Sequence, residues 1–133
     1  QVTSLLKLLP EFETPKNTMN CLFLSSDLMF GPRVAHAASL HGSHVKTVLS
    51  PGKLEDELGE GQYDLVILDL SCSLFEPAGV ISRLKASGQN VRTLAFGPHV
   101  QEEKLQAAVE AGIETVMTNG QFNQNLLQIF SGG

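Results

Sequence analysis

Tryptophan is absent from this 133-residue chain, tyrosine occurs once and cysteine twice. Lys and Arg total only 9 against 14 Asp and Glu, for a formal net charge of −5, and they form no cluster. A basic footprint for nucleic acid is therefore missing, and no direct nucleic-acid partner is expected. No apolar stretch approaches the roughly 18 residues of a membrane span, so no membrane partner is expected either. The first residues show neither the basic start nor the small-residue cleavage pattern of a signal peptide. Neither Cys21 nor Cys72 has a second Cys or a His at metal-finger spacing. With Cys21 starting the first strand and Cys72 following the third, the two lie at opposite ends of a parallel sheet, too far apart to bridge. Free thiols in a reducing cytoplasm are the expectation. There is no G-x-G-x-x-G and no Walker motif, so nothing supports nucleotide binding.

What is present is an ordinary globular composition, 42% hydrophobic and 17% charged, in a length that suits one domain. Residues 1–20 differ from the rest. The apolar patch Ser4-Leu5-Leu6-Lys7-Leu8-Leu9 is stopped by Pro10, and a polar stretch with Pro15 follows. This reads as an arm or linker, or as residues foreign to the native start if Met19 is the natural first residue. Residues 21–130 form the domain and 131–133 a tail.

Within the domain strands alternate with helices. Leu22-Phe23-Leu24 is a strand that runs into Ser25-Ser26-Asp27. Phe30 to Leu40 is a helix with Pro32 in its first turn, ended by Gly42. Val45 to Leu49 is a strand, and Ser50-Pro51 caps the next helix, which carries Leu54 and Leu58 and stops near Gly59 or Gly61. Leu65 to Leu68 is a continuous apolar run, the pattern of a strand covered on both faces, and Asp69 ends it. Pro77 to Ala86, Val100 to Ala111 and Phe122 to Phe130 are the remaining helices. Val91 to Phe96 and Ile113 to Met117 are the remaining strands. Five strands on short crossovers imply a flavodoxin-like α/β fold, a three-layer doubly wound (βα)5 parallel sheet in the order 2-1-3-4-5. That order sets the first strand beside the third and brings Ser25, Ser26, Asp27 and Asp69 to the switch-point crevice.

Asp69 carries the strongest site signal, because open parallel sheets bind ligands at the carboxyl ends of their strands. The bland alternative is an aspartate that caps the following turn. The expectation is a carboxylate near the sheet end, partly open to solvent. Asp27 reads first as the N-cap of the following helix and second as a metal ligand. Ser25 and Ser26 read as turn residues, since no His lies near them in sequence as a base. Gly97-Pro98 and Asn119-Gly120 read as turns. His36, His41 and His44 read as surface residues. His99, after Gly97-Pro98, either reaches the Asp69 crevice or begins the next helix, the second being the simpler reading. Phe96 is core, and Arg83 and Lys85 are solvated helix charges.

The segments "CLFLSSDLMF", "YDLVILDL", "VRTLAFG" and "LQAAVEAGIETVMTNGQF" resemble the receiver domain of two-component response regulators, over Cys21 to Phe130. Ala107 to Gly112 is similar to the receiver's AxxAGA ahead of its fifth strand. The resemblance implies an acidic pair that holds Mg²⁺ after the first strand, a phosphoacceptor Asp, a Thr or Ser ending the fourth strand and a Lys ending the fifth. Metal, Lys and hydroxyl would offset the charge of the incoming phosphoryl group. Asp69 falls on the phosphoacceptor position. Ser25-Ser26 fall on the acidic pair, with Asp27 one residue late, so that any metal would rest on Asp27 and Asp69. Gly97 falls on the hydroxyl position and Asn119 on the lysine. Serine lacks the charge to hold Mg²⁺, and asparagine can hydrogen-bond phosphate without cancelling its charge.

Three functions follow. The first is a degenerate receiver-like domain, not an enzyme, that docks a histidine kinase, an output protein or a second copy of itself through its fourth helix, fifth strand and fifth helix. The second is a receiver phosphorylated at Asp69 with a divalent metal. The third is a flavodoxin-like binder of a small ligand. The missing Trp and the lone Tyr63 speak against flavin in that last case.

Overall fold

A computed structural model describes residues 18–27 and 29–131. The expectations for residues 1–17 and for the end of the tail lie outside the described residues. Ten elements alternate: β1 (Asn20–Leu24), α1 (Phe30–Ser39), β2 (His44–Val48), α2 (Pro51–Glu60), β3 (Leu65–Asp69), α3 (Pro77–Ser87), β4 (Arg92–Gly97), α4 (Glu102–Ala111), β5 (Thr115–Thr118) and α5 (Asn119–Ile129). The strands make one parallel sheet in the order β2-β1-β3-β4-β5, as the sequence pattern predicts.

β3 stands in the middle of the sheet, and all five of its residues are buried. Alternate side chains of each strand enter opposite layers. Leu22, Leu24, Val66, Leu68 and Ala95 pack with Leu54, Leu58, Val80, Leu84 and Ala108 of α2, α3 and α4. Cys21, Phe23, Leu65, Ile67, Leu94 and Phe96 pack with Val34, Ala37, Phe122 and Leu126 of α1 and α5. Gly88 and Gly112 close α3 and α4 at φ of 76° and 102°, a left-handed conformation that a β-carbon would strain.

The amino end of the sheet is tied by side chains. Ser43 Oγ accepts from the Met19 amide at 2.9 Å, and Asp64 Oδ2 accepts from the Asn20 amide at 2.8 Å. Gln89 joins the loops that follow α2 and α3. Its Nε2 donates to the carbonyls of Leu58 and Gly61, both at 2.8 Å, and its Oε1 accepts from the Tyr63 amide at 2.9 Å. Both cysteines are buried free thiols. Burial, with Asp64 adding to it, pushes the Cys21 thiol up to about 12.

At the β2 edge, Glu57 accepts from Lys46 Nζ and from the Tyr63 hydroxyl, each at 2.6 Å. The Lys46 hydrogen bond, followed by that of Tyr63, holds the Glu57 carboxyl below its ordinary range. A depressed carboxylate contributes stability above its unfolded pKa, and that stability is lost as pH falls through the folded value. Glu57→Gln should therefore flatten part of the acid limb of a melting-temperature profile below about pH 4.5, the ordinary Glu value. An unchanged limb would remove Glu57 from the acid response.

Several boundaries differ from the sequence expectation. Gly97 is the last residue of β4 rather than a turn. The Gln101 amide donates to the Pro98 carbonyl at 3.0 Å, so a turn delays α4 to Glu102 and leaves His99 exposed within it. Asn119 and Gly120 open α5 instead of forming a turn. Thr118 and Gln121 make a reciprocal capping box, and this starts the helix three residues before Phe122. Arg83 is only partly solvated: its side chain is 35% exposed, but its Nε is buried 3.4 Å from Glu55 Oε2, and its Nη1 donates to the Gly79 carbonyl at 3.3 Å.

Candidate functional site

The parallel register sets the ends of three strands side by side. Leu24 pairs with Leu68, which brings the residue after β1 level with Asp69. Asp69 pairs with Phe96, and Gly97 pairs with Thr118. Asp69 continues the Leu65–Ile67 face and ends the central strand.

Asp69 is 1% exposed, which corrects the expectation of a carboxylate partly open to solvent. Hydroxyls from two loops close over it. Ser25 Oγ donates to Asp69 Oδ2 at 2.6 Å. Ser71 donates to Asp69 Oδ1 twice, from Oγ at 2.6 Å and from its amide at 3.0 Å. Ser25 Oγ in turn accepts from the Asp27 amide at 2.9 Å. Ser25 is thus a turn residue as its type suggests, and it is also the cross-strand partner of Asp69. The order 2-1-3 signals that proximity in sequence, whereas the hydrogen bond needs the register. Ser71 had no sequence signal beyond its place two residues after Asp69, where an Asx turn forms.

Asp27 is half-buried, and its Oδ1 accepts from the Met29 amide at 2.7 Å. Met29, not Asp27, is the N-cap of α1, so the aspartate braces the turn ahead of the helix rather than capping it. Among the described residues no hydrogen bond joins Asp69 to Asp27, Gly97, Asn119 or His99. Nor do three His, Cys, Asp or Glu side chains gather as a metal set among them. The residues at this end do not fit Mg²⁺, which takes near-octahedral oxygen ligands at about 2.1 Å. Ser25 covers one oxygen of Asp69, Ser71 covers the other, and Asp27 is engaged within its own loop.

The Gly97 position is closed by packing. A β-carbon there would stand 3.1 Å from Leu70 Cβ and 3.5 Å from Leu70 Cδ1. Leu70 follows Asp69, and its amide donates to the Phe96 carbonyl at 2.8 Å, so its backbone is fixed beside Gly97. Gly97→Thr should cost about 2 kcal/mol from overpacking, and Leu70→Gly, which removes the Leu70 β-carbon, should restore part of that loss relative to the sum of the two single variants. Urea unfolding followed by circular dichroism reads both; strictly additive losses would show that Leu70 is not the obstacle.

An open groove of about 530 Å³ lies between α2 and α3, lined by Leu58, Gly59, Gly79 and Arg83 among others. A smaller cleft of about 140 Å³ separates the loop after β3 from α4. Asp69 lines neither, so these spaces do not place a small ligand against its carboxylate. Among the described residues no helix is long and apolar enough to cross a membrane.

No family model matches the chain. A swarming motility regulation protein of Serratia marcescens, RssB, is 27% identical over 94 residues, which are 71% of this chain and 43% of that protein. The chain thus spans less than half the length of the curated relative it matches. Among solved structures, full-length FixJ from B. japonicum superimposes with a TM-score of 0.74 at 14% identity, over 89% of this chain and 57% of that one. The receiver domain of the sensor histidine kinase PA1611 from Pseudomonas aeruginosa, with a magnesium ion in its active-site cleft, gives 0.69 at 14% identity, over 87% and 99%. The chemotaxis response regulator CheY4 of Vibrio cholerae gives 0.69 at 15% identity, over 84% and 95%.

Proposed function

We propose that this chain, which has the fold of the response-regulator receiver domains, serves phosphorelay signalling as a docking module rather than as an acceptor of phosphate. The observation that carries the reading is the state of Asp69. It is buried, both its oxygens already accept hydrogen bonds, and hydrocarbon from Leu70 fills the neighbouring end of β4. An in-line attack on a phosphodonor needs a free oxygen and cationic groups to offset the charge. In this reading the chain catalyses no reaction.

The docking face is formed by α4, β5 and α5. β5 is an edge strand whose residues are half-buried or exposed, and Val109 and Leu127 on the flanking helices are each about half exposed. Apolar side chains beside an open strand edge suit a protein partner, whether a kinase, an output protein or a second copy.

Acetyl phosphate with Mg²⁺ tests the reading. Intact mass should show no phosphoryl adduct on the wild type. Rapid labelling that Asp69→Asn abolishes would reject it. It would instead establish the second reading, a phosphorylatable receiver, which is favoured by the place of Asp69 at the end of β3. That reading further requires Mn²⁺ or Mg²⁺ binding at millimolar metal that Asp27→Ala removes.

A further inference from the structure

We infer that Asp69 is a standing latch between the loop after β1 and the loop after β3, closed across the sheet by Ser25. The hydrogen bonds form one chain. The Met29 amide donates to Asp27, the Asp27 amide donates to Ser25 Oγ, and Ser25 Oγ donates to Asp69 Oδ2. On the other side, Ser71 donates to Asp69 Oδ1 from its hydroxyl and its amide, and the Cys72 amide donates to the Asp69 carbonyl at 3.1 Å. Ser26 Oγ and Cys72 Sγ, 3.6 Å apart, add a second contact between the same two loops.

The two sides of the latch differ in kind. The Ser71 bonds are local, two residues from Asp69, and survive any motion that carries the β3 loop as a unit. The Ser25 bond spans 44 residues and, among the described residues, is the hydrogen bond that links the carboxylate to the other loop. A carboxylate takes hydrogen bonds more strongly than a neutral acceptor, and burial removes the competing water. The loops are therefore held together without ligand, metal or modification. Met29 is 77% exposed and Leu74 is 55% exposed, one on each latched loop, so the latch also sets the spacing of two exposed apolar side chains.

The inference rests on the proposed reading in treating Asp69 as already engaged, and its test is independent of phosphate chemistry. The probe is a water-soluble carbodiimide with glycine ethyl ester, which amidates accessible carboxylates and is read by peptide mass spectrometry. Asp56 and Glu102, both exposed, are the internal references. In the wild type Asp69 should label far more slowly than either. Ser25→Ala should speed labelling of Asp69 by about tenfold, the equivalent of one hydrogen bond of about 1.4 kcal/mol. It should also speed amide exchange of Asp27 and of Ser71 to Leu74 while that of β4 stays unchanged. Ser25→Thr, which keeps the hydroxyl, should behave as wild type. Asp69 labelling at the Asp56 rate in the wild type would overturn the latch. So would Ser25→Ala that leaves both labelling and loop exchange unaltered. Failure of the docking reading shows in the acetyl phosphate assay, and failure of the latch in carbodiimide labelling and loop exchange, so the two outcomes separate.

Discussion

Asp69→Ala should lower the unfolding free energy by about 3 kcal/mol, with Asp69→Asn losing only about 1 kcal/mol. The alanine leaves Ser25 Oγ, Ser71 Oγ and the Ser71 amide without the acceptor they now share. Ser25 Oγ is the buried donor stranded in this way, at about 1–3 kcal/mol, whereas Ser71 is exposed and its hydroxyl and amide can turn to water. Asparagine keeps one carbonyl oxygen for Ser71 and turns an N–H₂ toward Ser25, whose oxygen can accept it. The sign is the informative part. A carboxylate held in reserve for chemistry, crowded by other acids, would be a strained buried charge, and its removal would stabilise the fold. Here the residue that meets Asp69 from the end of β1 is Ser25, a neutral donor, so removal should destabilise. Urea titration at pH 7 followed by circular dichroism at 222 nm is suitable, because the chain has no tryptophan to report by fluorescence. A gain in stability for Asp69→Ala would contradict the latch.

The larger loss should come from Phe96→Ala, about 4 kcal/mol. Phe96 is fully buried and joins three other rings. It stacks on Phe122 of α5 with centroids 4.0 Å apart and planes 2° from parallel. The edge of Phe30 of α1 meets it at 5.1 Å, and Phe23 of β1 lies parallel at 6.1 Å. Its removal opens a cavity between the sheet and both helices of one layer, and aromatic pairs add about 0.5–1.5 kcal/mol beyond area burial. Against a total stability of about 5–15 kcal/mol, this loss should leave a measurable unfolded fraction at 37 °C. Phe96→Leu should cost less than half as much, since most of the volume is kept. A double-mutant cycle with Phe122→Leu should show coupling of about 1 kcal/mol. Equal losses for Leu and Ala would mean that ring geometry, not filled volume, is what the site requires.

The two substitutions act on adjacent residues of one register, since Asp69 and Phe96 are paired across β3 and β4. Their effects should nevertheless differ in reach. Loss of Phe96 weakens the layer of α1 and α5 as a whole, whereas loss of Asp69 loosens two loops over an intact sheet. Hydrogen exchange separates them: Phe96→Ala should speed exchange in β4 and α5, and Asp69→Ala chiefly in the loops after β1 and β3.

Much of this architecture was legible in one dimension. The apolar run from Leu65 to Leu68 needs cover on both faces, and that requirement makes β3 an interior strand. Proline at the head of α2 and α3 and glycine behind α3 and α4 mark helix ends through fixed local dihedrals. Where a boundary was misread, a side chain outweighed the residue's average preference. Asn119-Gly120 is a turn by composition, yet the Thr118–Gln121 box makes it the first turn of α5.

The site was legible only in part. The sequence by itself determined, through residue type and order, that Asp69 ends a buried strand, and the receiver resemblance implied that Ser25, Gly97 and Asn119 stand where charged or hydroxyl groups would make it reactive. What only the tertiary structure decided is what the carboxylate does instead. Burial, the 2.6 Å bond from Ser25 and the Leu70 side chain against Gly97 all depend on register across β1, β3 and β4. A hydrogen bond between residues 44 apart is a matter of tenths of an ångström, and no local pattern in the chain encodes that distance.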